Sequence, residues 1–309
     1  MSERAFPSDQ VTIATNFLYR NYHTLAEGEV RNIDDTDGIR GDLGLKTIER
    51  ATNMGVRIVA CDGGSSPDFL SRLEGFRDRG FILVTSGIAG RAPQRRRAFE
   101  AATLLSNAQA TAYMQPEKGS DEEGSLLDYL DEITNPILNG SADIVIPARN
   151  PELFKQTYPD YMYESEVRVN HTYNRLMQRY GLMPKDVNFD WFFGPVVFKN
   201  DPEIVALFMK QYQMEVEIRT RLGASPNPEF HSGSHYFPLI EALFQQKRVV
   251  SVEIPFEYPS TQKANEEAPA SRNAFHQRRL LDASAYLTEA IHLLARLNNY
   301  PGSKIKEVN

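Results

Sequence analysis

Apolar runs alternate with polar turns through the first half of the chain. These runs predict strands at residues 11–18, 56–60, 81–86, 110–114 and 141–147. Helices are predicted between them at 43–53, from Pro67 onward, around 98–105 and at 124–139. This alternation indicates an α/β fold with a mostly parallel, Rossmann-like sheet that carries helices on both faces.

After residue 150 the pattern becomes predominantly helical and rich in aromatic side chains. Helices are predicted at 151–180, 202–221, 236–246 and 275–297, and a strand at 249–258. The polar stretch 261–273 lacks an apolar period, which predicts a mobile loop. Residues 261–309 are therefore expected to be a mobile loop followed by a C-terminal amphipathic helix.

Composition and charge narrow the class of protein. The 309 residues carry a formal net charge of −7, which argues against a nucleic-acid partner, because neutralising phosphates needs clustered Lys and Arg. No run approaches the ~18 apolar residues of a membrane span. A single cysteine, Cys61, is expected to be a buried small hydrophobe and fits a reducing compartment. With no signal-peptide pattern at the N-terminus, these features predict a cytoplasmic protein.

Candidate binding residues follow the predicted strands, at the edge where open α/β sheets bind ligands. Asn16 closes the first strand, and Asp62 and Gly63 open a Gly-Gly-Ser-Ser turn after the second. Small side chains and backbone N–H groups suit a phosphate or a nucleobase there, although a tight β–α turn explains the same residues. An acid in this position is also well placed to accept from a base or a sugar hydroxyl.

Basic residues follow the next two strands. Arg91 and Arg95 gather at the start of a helix, where cations oppose the helix dipole. A diphosphate would compensate their charge; a solvated basic face is the alternative. The fourth strand breaks at Gln115-Pro116 into a loop that carries Glu117 and Lys118 to the same edge.

The order of these motifs resembles that of GT-A nucleotide-sugar glycosyltransferases of the family 2 type. The resemblance covers about residues 11–260 and comprises Asn16, the turn 61–66, the segment 86–98, the end of the fourth strand, FFGPVVFKND at 192–201 and the segment 231–258. It implies a GT-A sheet in which residues 1–150 bind the nucleotide sugar. Residues 151–260 would complete the same domain and bind the acceptor.

The resemblance also implies roles for particular residues. Substrate contacts are expected from Asn16, Asp62, Gly63, Arg91, Gln94, Arg95, Lys118, Trp191, Gly194 and His235. The implied partners are a UDP- or GDP-linked donor and a small-molecule or glycan acceptor, in a monomer or homo-oligomer. Glu117 and Asp190 are the candidate catalytic residues. Asp190 is a candidate for acceptor binding or for a general base, since an acid in an aromatic loop can have a raised pKa. A plain loop acid at Asp190 and a core position for Trp191 are the alternatives.

The metal motif of that family is altered in this chain. Asp-x-Asp carboxylates hold Mg²⁺ or Mn²⁺ against the donor diphosphate, and the corresponding stretch here reads Gln-Pro-Glu-Lys. The candidate metal ligands are Glu117, His231, His235 and Glu257. Alternatively, Lys118 with Arg91 and Arg95 replaces the metal, or the fold binds without transfer. His231 and His235 have a helix-face spacing used for metals, but Gly233 favours surface or capping roles.

Sugar transfer from a nucleotide-diphosphate sugar is the leading hypothesis for function. A nucleotidyltransferase is one alternative. Such enzymes carry a Gly-rich run after their first strand, and its absence here argues against this alternative. The other alternative is a non-catalytic protein that binds nucleotide sugars.

Overall fold

The computed structural model describes residues 9–105, 107–120, 123–212 and 236–269. Within these segments the strands are β1 Val11–Phe17, β2 Arg57–Asp62, β3 Phe81–Thr85, β4 Ala110–Tyr113, β5 Ile144–Arg149, β6 Val196–Lys199 and β7 Val249–Ile254. They form one sheet in the order β3-β2-β1-β4-β6-β5-β7. Strand β6 is antiparallel to β4 and β5, and the other neighbouring pairs are parallel. The predicted α/β fold with a mostly parallel sheet is therefore confirmed.

Helices cover both faces of this sheet. They are α1 Thr36–Asn53, α2 Pro67–Leu73, α3 Arg91–Thr103, α4 Leu130–Leu138, α5 Pro151–Thr157, α6 Asp160–Arg179, α7 Pro202–Met209, α8 Tyr236–Phe244 and α9 Ser260–Glu267. Short 3₁₀ turns lie at Glu74–Arg79, Pro116–Gly119 and Leu126–Tyr129. Within the described parts of the chain, none of these helices combines the length and the apolar character that crossing a bilayer requires.

Two apolar clusters, one on each face, hold the layers together. Because successive strand residues point to opposite faces, Ile58 packs with Ile48 of α1, whereas its neighbour Val59 packs with Phe99 of α3. Cys61 is fully buried in the second cluster, as predicted, and burial raises the pKa of its thiol to about 11. The sheet is thus a rigid platform whose carboxyl edge carries the loops of the site.

Helix α1 begins seven residues before the helix predicted at 43–53. Asp35 caps it by accepting a hydrogen bond from the backbone N–H of Gly38 at 2.9 Å. Because of the glycines in its first half, the sequence pattern did not predict this part of α1 as a helix. Gly41 serves close packing, since a Cβ there would lie 2.4 Å from Cδ2 of Tyr22.

The polar stretch after β7 departs most from expectation. Residues 261–273 were expected to form a mobile loop, but Ser260–Glu267 is the helix α9. Its buried side chains are polar, and Asn265 donates to the carbonyl of Ile33 at 2.6 Å. Hydrogen bonds and an ion pair, rather than apolar packing, hold this helix against the rest of the protein. The sequence therefore shows no apolar period that would predict it. The helix expected at 275–297 lies outside the described residues.

Candidate functional site

A cavity of about 680 Å³ lies at the carboxyl edge of the sheet, where the parallel strands end and β6 begins. Seven of the predicted site residues line it: Asn16, Arg91, Gln94, Arg95, Glu117, Lys118 and Gly194. Its volume falls within the roughly 300–1,000 Å³ typical of small-molecule sites. The rule that ligands bind beyond the strand ends therefore locates this cavity correctly.

A chain of hydrogen bonds orients Gln94 on the β1–β4 side of the cavity. The Tyr113 hydroxyl donates to Oδ1 of Asn16 at 3.1 Å, and Nδ2 of Asn16 donates to Oε1 of Gln94 at 3.2 Å. Burial raises the pKa of Tyr113 despite the charges of nearby arginines, so the phenol keeps the proton that sets this direction. The Nε2 group of Gln94 therefore faces the turn after β2, where a Cβ on Gly63 would lie 2.3 Å away.

Helix α3 starts at the cavity with backbone and side-chain groups that suit an anion. Gly90, which precedes it, has a φ of +118° and no side chain to cap the helix. The first turn contains no acid, and Arg91 and Arg95 both line the cavity. The buried guanidinium of Arg95 lies 5.8 Å from the centre of the Tyr113 ring. The dipole and both cations thus favour negative charge at this end of the cavity.

Asp62 has a different role from the one predicted. Its Oδ2 accepts from the backbone N–H of Gly64 and its Oδ1 from that of Ser65, both at 2.9 Å. Asp62 does not line the cavity, and neither does Gly63. The carboxylate therefore stabilises the Gly-Gly-Ser-Ser turn, and Gly63 contributes by leaving room for Gln94.

Glu117 lies in the 3₁₀ turn after β4, close to the partly buried Arg40. Its side chain is 12% exposed, and its Oε1 lies 3.9 Å from Nη1 of Arg40. Arg40 also pairs with Glu266 of α9 at 2.7 Å. Burial would lower the pKa of Arg40, but the two carboxylates raise it, so the guanidinium stays charged. This places a carboxylate in the cavity with its charge compensated but not tightly hydrogen-bonded.

Lys118 is held at the other side of the same turn. Its ammonium group donates to the carbonyl of Phe193 and lies 4.4 Å from the centre of that residue's ring. Gly194 follows with a φ of +94°, and a Cβ there would lie 2.2 Å from Nε2 of Gln115. The glycine thus admits the Gln115 side chain to the cavity wall.

The prediction that Asp190 is a general base with a raised pKa is wrong. Both of its oxygens accept from the guanidinium of Arg149, at 2.6 and 2.7 Å, and Nδ2 of Asn170 donates to it at 2.7 Å. Burial alone would raise the pKa of Asp190, but the charge and hydrogen bonds of Arg149 lower it. Asp190 does not line the cavity. Arg149 does line the cavity. Asp190 neutralises its charge together with Glu166, whose Oε2 lies 2.8 Å from Nη1 of Arg149.

Trp191 is part of the core. It is 1% exposed, and its indole N–H donates to Oδ1 of Asn174 at 2.8 Å. The expected stacking on a sugar is therefore not supported, and the alternative reading of Trp191 as a core residue is correct.

The predicted metal ligands are not brought together in the described structure. Glu257 is exposed, packs against Gly124 and does not line the cavity. His231 and His235 lie outside the described residues. Among the residues that are described, no group of three or more His, Cys, Asp or Glu side chains could hold a metal. The position beside Glu117 is instead taken by the guanidinium of Arg40.

Several lining residues were missed from the sequence. They are Arg40 of α1, Arg149 at the end of β5, Tyr158 and Glu166 from the α5–α6 region, and Tyr258, Gln262 and Glu266 from the chain after β7. Arg149 stands at a strand end, and the four-residue spacing of Gln262 and Glu266 puts them on one helix face. The strand-end position and the four-residue spacing were the available signals for these site residues. Both signals are weak, because the partners of these residues are distant in sequence.

No protein-family model matches the chain, and no curated protein matches it. Solved structures that are similar to it include a protein assigned as a nucleotide-diphospho-sugar transferase from Desulfovibrio desulfuricans G20, at 9% identity and a TM-score of 0.45, covering 93% of this chain and 98% of that one. A second is 4-diphosphocytidyl-2C-methyl-D-erythritol synthase from Anaerococcus prevotii DSM 20548, at 13% identity and a TM-score of 0.42, covering 85% and 98%. A third is S. aureus TarS 1–349, at 12% identity and a TM-score of 0.41, covering 94% and 71%.

Proposed function

We propose that the chain is a glycosyltransferase that takes a sugar from a nucleotide-diphosphate sugar and transfers it to an acceptor in the cavity at the carboxyl edge of the sheet. The observation that carries the proposal is the start of α3, where the helix N-terminus, Arg91 and Arg95 all face the cavity. The donor diphosphate would bind there. The volume of about 680 Å³ leaves room for a sugar and an acceptor beside it.

Transfer requires a bond from an acceptor oxygen to the anomeric carbon. As it forms, the bond from that carbon to the diphosphate oxygen breaks, and its electron pair leaves with the nucleoside diphosphate. The negative charge that develops on the leaving group is stabilised by Arg91, Arg95 and the α3 dipole. The acceptor proton passes to a carboxylate.

Glu117 is the carboxylate best suited to take that proton. The other acids that line the cavity accept short hydrogen bonds: Glu266 from Arg40, Tyr258 and Gln262, Glu166 from Arg149, and Asp37 from the backbone N–H of Asn21. The contact from Arg40 to Glu117 is longer, at 3.9 Å. Because a general base needs an oxygen within reach of the acceptor, Glu117 is assigned this role.

No step in this proposal passes through a metal ion. Among the described residues, Glu117 shares the Arg40 guanidinium with Glu266, and no group of three or more His, Cys, Asp or Glu side chains could hold a metal. Arg91 and Arg95 supply the positive charge that the leaving group needs in this proposal. The corresponding alternative from the sequence replaced the metal by these two arginines and Lys118.

Replacing Arg91 by Ala tests the donor site. We expect UDP or GDP to bind about tenfold more weakly, because one charge-assisted contact to the diphosphate is lost. Added salt should reduce the difference between Arg91→Ala and the wild-type protein, since the contact is ionic. Titration calorimetry on the full chain measures both effects.

Arg97→Ala is the matched control. Arg97 lies on the same helix, pairs with Glu100 and does not line the cavity, so its loss should leave nucleotide affinity unchanged. An equal loss in both variants would show only a general charge effect. Absence of binding to either nucleotide at millimolar concentration would refute the proposed function.

A further inference from the structure

The part of the cavity that lies near α1 and α9 differs in chemistry from the start of α3. Two of its guanidiniums are neutralised within the protein. Among the described residues, two guanidiniums are matched by four carboxylates: Arg40 by Glu117 and Glu266, and Arg149 by Glu166 and Asp190. Glu166 and Glu266 are each only 2% exposed. Neither guanidinium is therefore available to a carboxylate or phosphate ligand, which would also lie close to these buried acids.

Gln262 of α9 belongs to the wall of this part of the cavity. Its Nε2 donates to Oε1 of Glu266 at 3.0 Å, and Glu266 is itself fixed by Arg40 and by the Tyr258 hydroxyl. Since a carboxylate only accepts hydrogen bonds, this contact fixes which end of the amide faces Glu266. Gln262 is 6% exposed and lines the cavity, and its Oε1 has no hydrogen-bond partner among the described residues.

Tyr19 provides a second buried polar atom in the wall of this part of the cavity. The side chain is 4% exposed and lines the cavity, yet its hydroxyl has no hydrogen-bond partner in the described part of the chain. Burial, followed by the charge of Glu117, raises the pKa of Tyr19 well above its usual value, so the phenol stays protonated. A buried polar atom without a partner is costly, and a ligand that pairs with it recovers that cost.

We propose that the acceptor is a neutral polyhydroxylated molecule, a sugar or a polyol, whose hydroxyl groups bind the Tyr19 hydroxyl and Oε1 of Gln262 beside Glu117. A hydroxyl both donates and accepts, so it satisfies the amide oxygen and the phenol at once. A carboxylate cannot donate to Gln262 and would meet the buried acids. This inference rests on the proposed function, since it identifies the acceptor of that reaction.

Matched neutral and acidic probes test the inference. The full chain is saturated with whichever of UDP and GDP it binds, and the affinities of glucose, gluconate, glycerol and glycerol 3-phosphate are then measured by NMR titration. We expect each neutral probe to bind at least tenfold more tightly than its acidic partner. Comparing glucose with glycerol distinguishes a sugar acceptor from a smaller polyol.

Two variants locate the contact. Tyr19→Phe removes only a hydroxyl that has no partner in the described chain, so the free energy of unfolding should change little while the affinity for the neutral probe falls about tenfold. Gln262→Leu should have the same effect on the probe. Neither change should alter the nucleotide Kd. Tyr163→Phe and Gln156→Leu repeat the same substitutions at positions that do not line the cavity, and they should change neither affinity.

Each contrary outcome has a distinct meaning. Tighter binding of gluconate or glycerol 3-phosphate, failure of all four probes to bind, or unchanged neutral binding in both Tyr19→Phe and Gln262→Leu would overturn the acceptor assignment while nucleotide binding persists. Loss of nucleotide binding altogether in the wild-type protein would instead refute the proposed function on which the assignment rests.

Discussion

Replacing Glu117 by Gln is expected to lower kcat by about 10²- to 10⁴-fold, the usual contribution of a general base. The amide keeps the shape of the side chain but cannot accept a proton from the acceptor. Because the proposed diphosphate contacts come from α3 and not from Glu117, the nucleotide Kd should stay within about twofold. Steady-state release of nucleoside diphosphate and calorimetric titration measure the two quantities separately.

Glu257→Gln is the matched control for this variant. Glu257 was expected to be a metal ligand, but it is exposed and does not line the cavity. Its replacement and the addition of EDTA should both leave the rate unchanged. A loss of activity with EDTA or in Glu257→Gln would restore the metal hypothesis, and full activity in Glu117→Gln would assign the base to another residue.

Arg149→Met is expected to lower the free energy of unfolding by about 3–5 kcal/mol, as for other buried ion pairs that lose one partner. The change removes the cation between Asp190 and Glu166 and leaves two buried carboxylates uncompensated. Arg149 also lies 3.5 Å from the centre of the Phe154 ring, so packing is lost as well. Urea unfolding at pH 7 measures the effect.

A surface pair gives the control, and pH gives a second test. Arg248 pairs with Asp143 and its side chain is 53% exposed, so Arg248→Met should lower the free energy of unfolding far less than Arg149→Met does. In the wild-type protein the pKa of Asp190 is lowered, so its contribution is complete above the ordinary Asp pKa of about 4 and is lost as the pH falls through the lowered value.

Without Arg149, burial would raise the pKa of Asp190 instead. The variant would then gain stability relative to wild type as the pH falls toward 4, because the buried acid becomes neutral. The gap between the two proteins should therefore be widest at neutral pH. A gap that does not depend on pH would mean that the loss of packing dominates.

The sheet and one side of the site were readable from the sequence because they follow local rules. Apolar runs between polar turns identify the strands, and side chains at the ends of parallel strands meet at one edge whatever the rest of the chain does. Asn16, Arg91 and Glu117 were found in this way, and all three line the cavity.

The remaining site residues depend on contacts between distant parts of the chain. Asp190 looked like a base in an aromatic loop, but its function is decided by Arg149, which is 41 positions away. Glu266 lies in a stretch that resembled a polar loop, and Arg40, 226 positions earlier, makes it a buried helix residue. The predicted role of Asp62 was wrong for a different reason. An acid that stabilises a turn and an acid that binds a ligand cannot be distinguished in a single sequence.

A structure of the full chain bound to the nucleoside diphosphate it prefers, UDP or GDP, tests the central claim most directly. The account predicts the diphosphate at the start of α3, within hydrogen-bond distance of Arg91 or Arg95, with the nucleoside on the β1–β4 side near Gln94 and with Glu117 left open to the acceptor. A diphosphate bound away from α3, or a nucleoside that fills the space between Tyr19 and Gln262, would contradict it.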